Sequence, residues 1–168
     1  HMFKFDKLAF GDLGWGDELL FATLMTITVS ILSMGLGLCL AIITVWAKLI
    51  TNRVTRLIAN FYTTVVRGVP ELLVIYLIFF GGNSVVMGVA KLFGYNGYIE
   101  LNALTIGTIA IAFISATYSS EVIRAAYLAV NKGQVEAAKA LGLSKIQIFL
   151  RVIGPQIIRH ALPGIGNV

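Results

Sequence analysis

The sequence predicts an all-α protein, a polytopic bundle of membrane-spanning helices, and three observations predict it. Hydrophobic residues make up 58% of the 168 positions, charged residues only 12%, and the mean hydropathy is +0.88. Soluble domains stay nearer ~45–50% apolar even with glycine counted. Uncharged or nearly uncharged runs long enough to cross ~30 Å of hydrocarbon recur along the chain. Small residues also repeat every fourth position within two of these runs, which is how helices approach one another closely in lipid.

Residues 1–18 read as an outer interfacial arm: Phe3, Phe5, Phe10 and Trp15 alternate with Lys4, Asp6, Lys7, Asp12 and Asp17, and Gly11, Gly14 and Gly16 oppose a long helix. His1-Met2 reads as an appended residue before the natural start, and no cleavable leader follows it. The transmembrane domain is assigned to 19–168. Its first span, 19–47, carries no charge, and Ser33, Gly37 and Ala41 line one side. That stripe serves either a subunit interface or packing within the chain. Lys48, Arg53 and Arg56 follow without an acidic residue among them, so the positive-inside rule places this loop in the cytoplasm and the amino terminus outside.

The second span, 57–80, holds Arg67-Gly68-Val69-Pro70-Glu71 within apolar sequence. Pro70 cannot donate to the Val66 carbonyl, so a kink or an unwound segment is expected, which membranes tolerate only against protein or a wet cavity. Arg67 and Glu71 either neutralise each other at i, i+4 spacing or line a pathway. The pathway reading is preferred. Gly81-Gly82-Asn83 is expected to end the span, with a short interfacial helix and a turn at 94–98 in the outer segment 84–100. The third span, 101–120, presents Thr108, Ala112, Ala116 and Ser120 as a second stripe, followed by Glu121 and Arg124. Depth counting suggests that Arg67 pairs with Glu121, which would leave Glu71 free for a cationic substrate.

The cytoplasmic segment at about 131–155 is the part that looks water-facing. Val135, Ala138 and Leu141 recur at helical spacing, with Glu136 and Lys139 on another side and Ala137 and Ala140 keeping the flank thin. Such a helix suits a partner's groove. Gly142 is placed to end it in the left-handed conformation, and Ser144 with Gln147 forms a capping-box signature for a second helix.

Catalytic and metal chemistry find no foothold. The chain lacks a G-x-x-x-x-G-K-[ST] phosphate loop, an H-E-x-x-H pair and a G-x-S-x-G elbow, Cys39 is its single cysteine, and His160 has only His1 for company. The net charge of +5 is spread over cytoplasmic loops, which speaks against nucleic acid as a partner. Any uphill transport must draw on an ion gradient or on another subunit.

Glu136-Ala137-Ala138, then Gly142 and Pro155, resemble the coupling loop of membrane subunits of bacterial ATP-binding-cassette importers. Arg67-Gly68-Val69-Pro70 with the run from Glu71 to Val74 resembles the signature of the polar amino acid permeases in that group. The stretches 116–124 and 133–138, with Pro155-Gln156, Leu162-Pro163 and Asn167, fit the same family. The resemblance implies a permease core of five spans in the bacterial inner membrane, with the fourth under way at Val168, so the sequence reads as incomplete. It implies a cytosolic ATPase, a second permease subunit, identical or related, and a periplasmic substrate-binding protein as partners. No cofactor would be bound by this chain itself, and ATP would sit on the partner. Glu136, Ala137, Ala138, Gly142 and Pro155 would couple to the ATPase; Arg67, Pro70, Glu71 and Glu121 are the pathway candidates. An acidic residue after the signature proline resembles permeases for cationic amino acids, and the run from Glu71 to Tyr76 resembles those for octopine and nopaline. Gly154 departs from the family's usual leucine, which predicts a softer second helix. An ion-gradient-driven secondary transporter or a membrane-anchored scaffold are the alternatives; neither needs the helix from Glu136 to Gly142.

Overall fold

The computed structural model describes residues 14–95, 97 and 102–168. Most of the expected interfacial arm, and part of the expected turn at 94–98, lie outside the described residues. Among those described, every regular element is helical: α1 Gly16–Leu49, α2 Arg53–Gly68, α3 Glu71–Leu92, α4 Ala103–Leu128, α5 Lys132–Ala140, α6 Lys145–Ile148 and α7 Gly154–Ile165, with a π-helical turn at Phe149–Ile153 joining the last two. Three of these, α1, α3 and α4, are long and apolar enough to cross a membrane.

The helix α4 is the axis of the bundle. Half of its most apolar window is buried inside the chain, against 6% for α3, whose side chains from Leu72 to Phe93 mostly face outward. Buried positions of α4 follow the small-residue stripe, and so do those of α1. Ser33 Oγ donates to the Thr108 carbonyl at 3.2 Å, and a Cβ on Gly37 would stand 3.2 Å from the Ala112 carbonyl oxygen. Ala41, Ala116 and Ser120 are fully enclosed. The two stripes therefore face each other, and of the two roles left open for Ser33, Gly37 and Ala41, packing within the chain is the one observed.

The second span divides as its sequence dictates. Helix α2 stops at Gly68; Val69 is extended (φ −110, ψ 143) and Pro70 enters α3 at φ −53, ψ 130. Val66, Val74 and Ile114 close a small core around this break, joined by Tyr62, whose hydroxyl donates to the Phe113 carbonyl at 2.5 Å. One expectation fails here. Gly81-Gly82-Asn83 does not end the helix, and α3 continues to Leu92, absorbing the expected interfacial helix. A glycine inside a helix costs only about 1 kcal/mol relative to alanine, and the apolar run on either side outweighs two of them. The true stop is Gly94 (φ +82), with Gly94 N donating to the Lys91 carbonyl and Tyr95 N to that of Ala90, a Schellman closure.

Candidate functional site

Two places combine polar chemistry with built geometry. The first is the segment after α4. Asn131 caps α5 by accepting from Gly133 N at 2.8 Å. Gly142 (φ +76) closes the helix through Gly142 N to the Lys139 carbonyl, 2.9 Å, and Leu143 N to that of Ala138, 3.2 Å. This is the same Schellman motif as at Gly94, and the left-handed residue is the one the sequence marked. Ser144 and Gln147 form the expected capping box, with Ser144 N donating to Gln147 Oε1 at 2.9 Å and Gln147 N to Ser144 Oγ at 3.3 Å.

The apolar positions of α5 part company. Ala138 is buried and Val135 half-buried, whereas Leu141 is 80% exposed. Glu136, Ala137, Ala140 and Leu141 share an outward face. Helix α5 is held from behind: Gln156 of α7 donates to Gln134 Oε1 at 2.6 Å, and a groove of about 290 Å³ between α4 and α5 is lined by Tyr127, Leu128, Val135, Glu136, Lys139 and Ile153 among others. Pro155 is the second residue of α7, directly after the π turn, where its ring and missing N–H interrupt the regular helical ladder. At Gly154, where a softer second helix was expected, the regular α-helix has given way to the π turn. The Gly154 N–H closes that turn onto the Phe149 carbonyl, and a Cβ there would lie 3.0 Å from that oxygen.

The second place is the break between α2 and α3. Arg67 Cζ lies 5.3 Å from the centroid of the Tyr118 ring, a cation–π geometry, and the Tyr118 hydroxyl interacts with Glu71. Arg67, Pro70 and Glu71 are exposed, Tyr118 half-exposed. Glu71 also opens α3, where the helix dipole favours a carboxylate. Arg67 thus meets Tyr118 and not Glu121; the expected Arg67–Glu121 pair is absent because depth counting was one turn out.

Glu121 belongs elsewhere. Its Oε1 accepts from Lys48 Nζ, and its Oε2 from Arg124 Nε at 3.0 Å. Lys48 Nζ also donates to Thr63 Oγ1 at 2.6 Å, so that α1, α2 and α4 meet at one buried ammonium whose side chain is 4% exposed. Sequence reading missed this node because Lys48 was counted among the loop cations. The signal available was Lys48 lying seven residues after Ala41 and four after Thr44, on the buried side of α1.

Residues 33–168 match the family of the binding-protein-dependent transport system inner membrane component. The chain belongs to that family. This membrane component is 43% identical over 161 residues to the octopine transport system permease protein of Rhizobium meliloti, covering 96% of this chain and 68% of the relative. It is 48% identical over 162 residues to the nopaline transport system permease protein of Agrobacterium fabrum, covering 96% and 69%. With the histidine/lysine/arginine/ornithine transport system permease protein of Escherichia coli it shares 38% over 154 residues, covering 92% and 67%. A solved structure described as an amino acid ABC transporter with histidines superposes with a TM-score of 0.66 at 29% identity, covering 94% of this chain and 71% of that one. The membrane component is thus a multi-pass permease subunit of the ATP-binding-cassette importers, and the secondary-transporter and scaffold alternatives find no support.

Proposed function

We propose that this permease imports cationic amino acids or opines, driven by a separate cytosolic ATPase and fed by a periplasmic substrate-binding protein, with its amino terminus outside. The observation that carries the substrate class is the Glu71 carboxylate, exposed at an unwound point of a spanning segment beside Tyr118 and Arg67. A carboxylate and an aromatic face together suit a guanidinium or ammonium. Octopine, nopaline and histidine/lysine/arginine/ornithine are the substrates in the relatives' names, and each presents a cationic group. Pro70 holds the backbone open there. A second permease subunit, identical or related, completes the route between the two.

Energy enters through α5. Glu136 orients the docked helix, Ala137 and Ala138 keep it thin, Gly142 fixes its end, and Pro155 starts the helix that carries motion back into the membrane. ATP stays on the partner. ATP binding swings the spans from inward-facing to outward-facing. Reconstituted with its ATPase, Gly142→Val is expected to hydrolyse ATP without importing radiolabelled arginine, since a β-branched residue at positive φ costs about 1–2 kcal/mol. Normal ATP-driven uptake by that variant would contradict the role given to α5.

A further inference from the structure

We infer that Lys48 is a positioning residue: its buried pair with Glu121 fixes the register of α1 against α4 and thereby the height of Tyr118 relative to Arg67 and Glu71. The consequence for coupling rests on the function proposed above; the register itself does not.

The α1–α4 seam has a weakness built into it. Ser33, Gly37 and Ala41 on one side, and Thr108, Ala112, Ala116 and Ser120 on the other, each repeat every four residues. A seam with that period nearly matches itself after a slide of one turn, roughly 6 Å at 1.5 Å per residue. Small side chains would again meet small side chains, and one-turn slides of packed helices are a known class of rearrangement. Van der Waals packing alone discriminates poorly between the two positions.

Lys48 and Glu121 break the degeneracy. After a one-turn slide the ammonium, 4% exposed, would lose its carboxylate, and a buried charge without its partner is strongly disfavoured. A buried ion pair adds little to stability compared with apolar side chains of the same size, so its presence here is better explained by register than by strength. Arg124 holds the other carboxylate oxygen, which keeps Glu121 aimed at α1. Thr63 brings α2 into the same lock.

The lock stands next to the proposed substrate site. Thr63 precedes Arg67 by four residues on α2, and Tyr118 precedes Glu121 by three on α4, so both are about one turn away. A one-turn slide of α4 would carry Tyr118 out from beneath Arg67 and away from Glu71. Helix α4 also ends at Tyr127 and Leu128, in the wall of the groove behind α5. A push on α5 therefore reaches the π turn and α7, α7 packs on α4, and Lys48 passes it to α1 and α2.

The test uses disulfide trapping in membranes from cells expressing the full-length protein with its partner subunits, in a Cys39→Ser background. Gly37→Cys is combined in turn with Ser115→Cys, whose Cβ stands 3.4 Å from a Cβ built on Gly37, and with Ile111→Cys or Ser119→Cys, each one turn away. With Lys48 and Glu121 present, only the 37–115 pair should link. In Lys48→Met/Glu121→Met, which leaves no unpaired buried charge, the one-turn pairs should link as well, and uptake per ATP should fall about tenfold. Lys48→Met alone, in which Glu121 keeps Arg124, serves as the second variant if the double one does not accumulate. Off-register linking in either variant supports the proposal; linking confined to 37–115 in both overturns it, whatever happens to uptake. Off-register linking with unchanged uptake per ATP would leave the register role standing and count against the importer mechanism instead.

Discussion

Two polar clusters built from the same kinds of residue stand one turn apart and end in opposite states. At the node, Lys48, Thr63, Glu121 and Arg124 bond one another across three helices, with the Lys48 ammonium buried while Glu121 and Arg124 reach toward the edge. At the break, Arg67, Tyr118 and Glu71 touch but stay open, because Val69 and Pro70 leave the backbone extended and the flanking side chains face outward. Charge in a membrane span thus has two uses. Where a charge is buried against its partner, it specifies an arrangement; where it stays exposed with capacity left over, it is available to a ligand.

The contrast is open to three further measurements. The largest effect is expected from Glu121→Ala, which strands the Lys48 ammonium. It should destabilise the chain by about 3–5 kcal/mol, read as a drop in the melting temperature of the detergent-solubilised complex. An unchanged melt would mean that the node is not closed. Glu71→Gln should leave the melt alone yet raise the KM for arginine uptake about tenfold, with neutral amino acids gaining relative to cationic ones. If selectivity stays put, the break holds structure rather than substrate. Tyr118→Phe keeps the ring beneath Arg67 and removes only the hydroxyl that meets Glu71. A change worth about 1 kcal/mol in apparent affinity is expected, smaller than that for Glu71→Gln and measurable in the same assay.

Much of the fold was legible because membranes simplify the code. Apolar runs gave α1 and α4, Pro70 gave the break, and Gly142 with Ser144 and Gln147 gave the end of α5 and the start of α6, each through a local rule that needs no partner. What failed was non-local or marginal. Gly81-Gly82 looked like a stop only until the apolar sequence beyond it was weighed against the small cost of two glycines. The partner of Arg67 was misread because counting residues fixes height to no better than a turn, and one turn separates Tyr118 from Glu121. Lys48 was invisible as a core residue because composition cannot tell a loop cation from one whose carboxylate arrives from another helix. Leu141 shares the helical spacing of Val135 and Ala138, and spacing alone could not tell that Ala138 packs inward while Leu141 stays exposed at the end of α5.

The π turn at Phe149–Ile153 sets a phase boundary. One extra residue in a helical turn rotates everything beyond it by about 100° relative to an uninterrupted α-helix. Positions that a helical wheel would stack on one side of the segment from Lys145 to Ile165 therefore part company at Gly154. Ile148 faces inward on one phase and Ala161 on the other. Gly164 also comes so close to α4 that a Cβ would stand 2.7 Å from Val122 Cγ1. The chain uses an irregular turn to set the rotation of α7 against α4 independently of the rotation of α6.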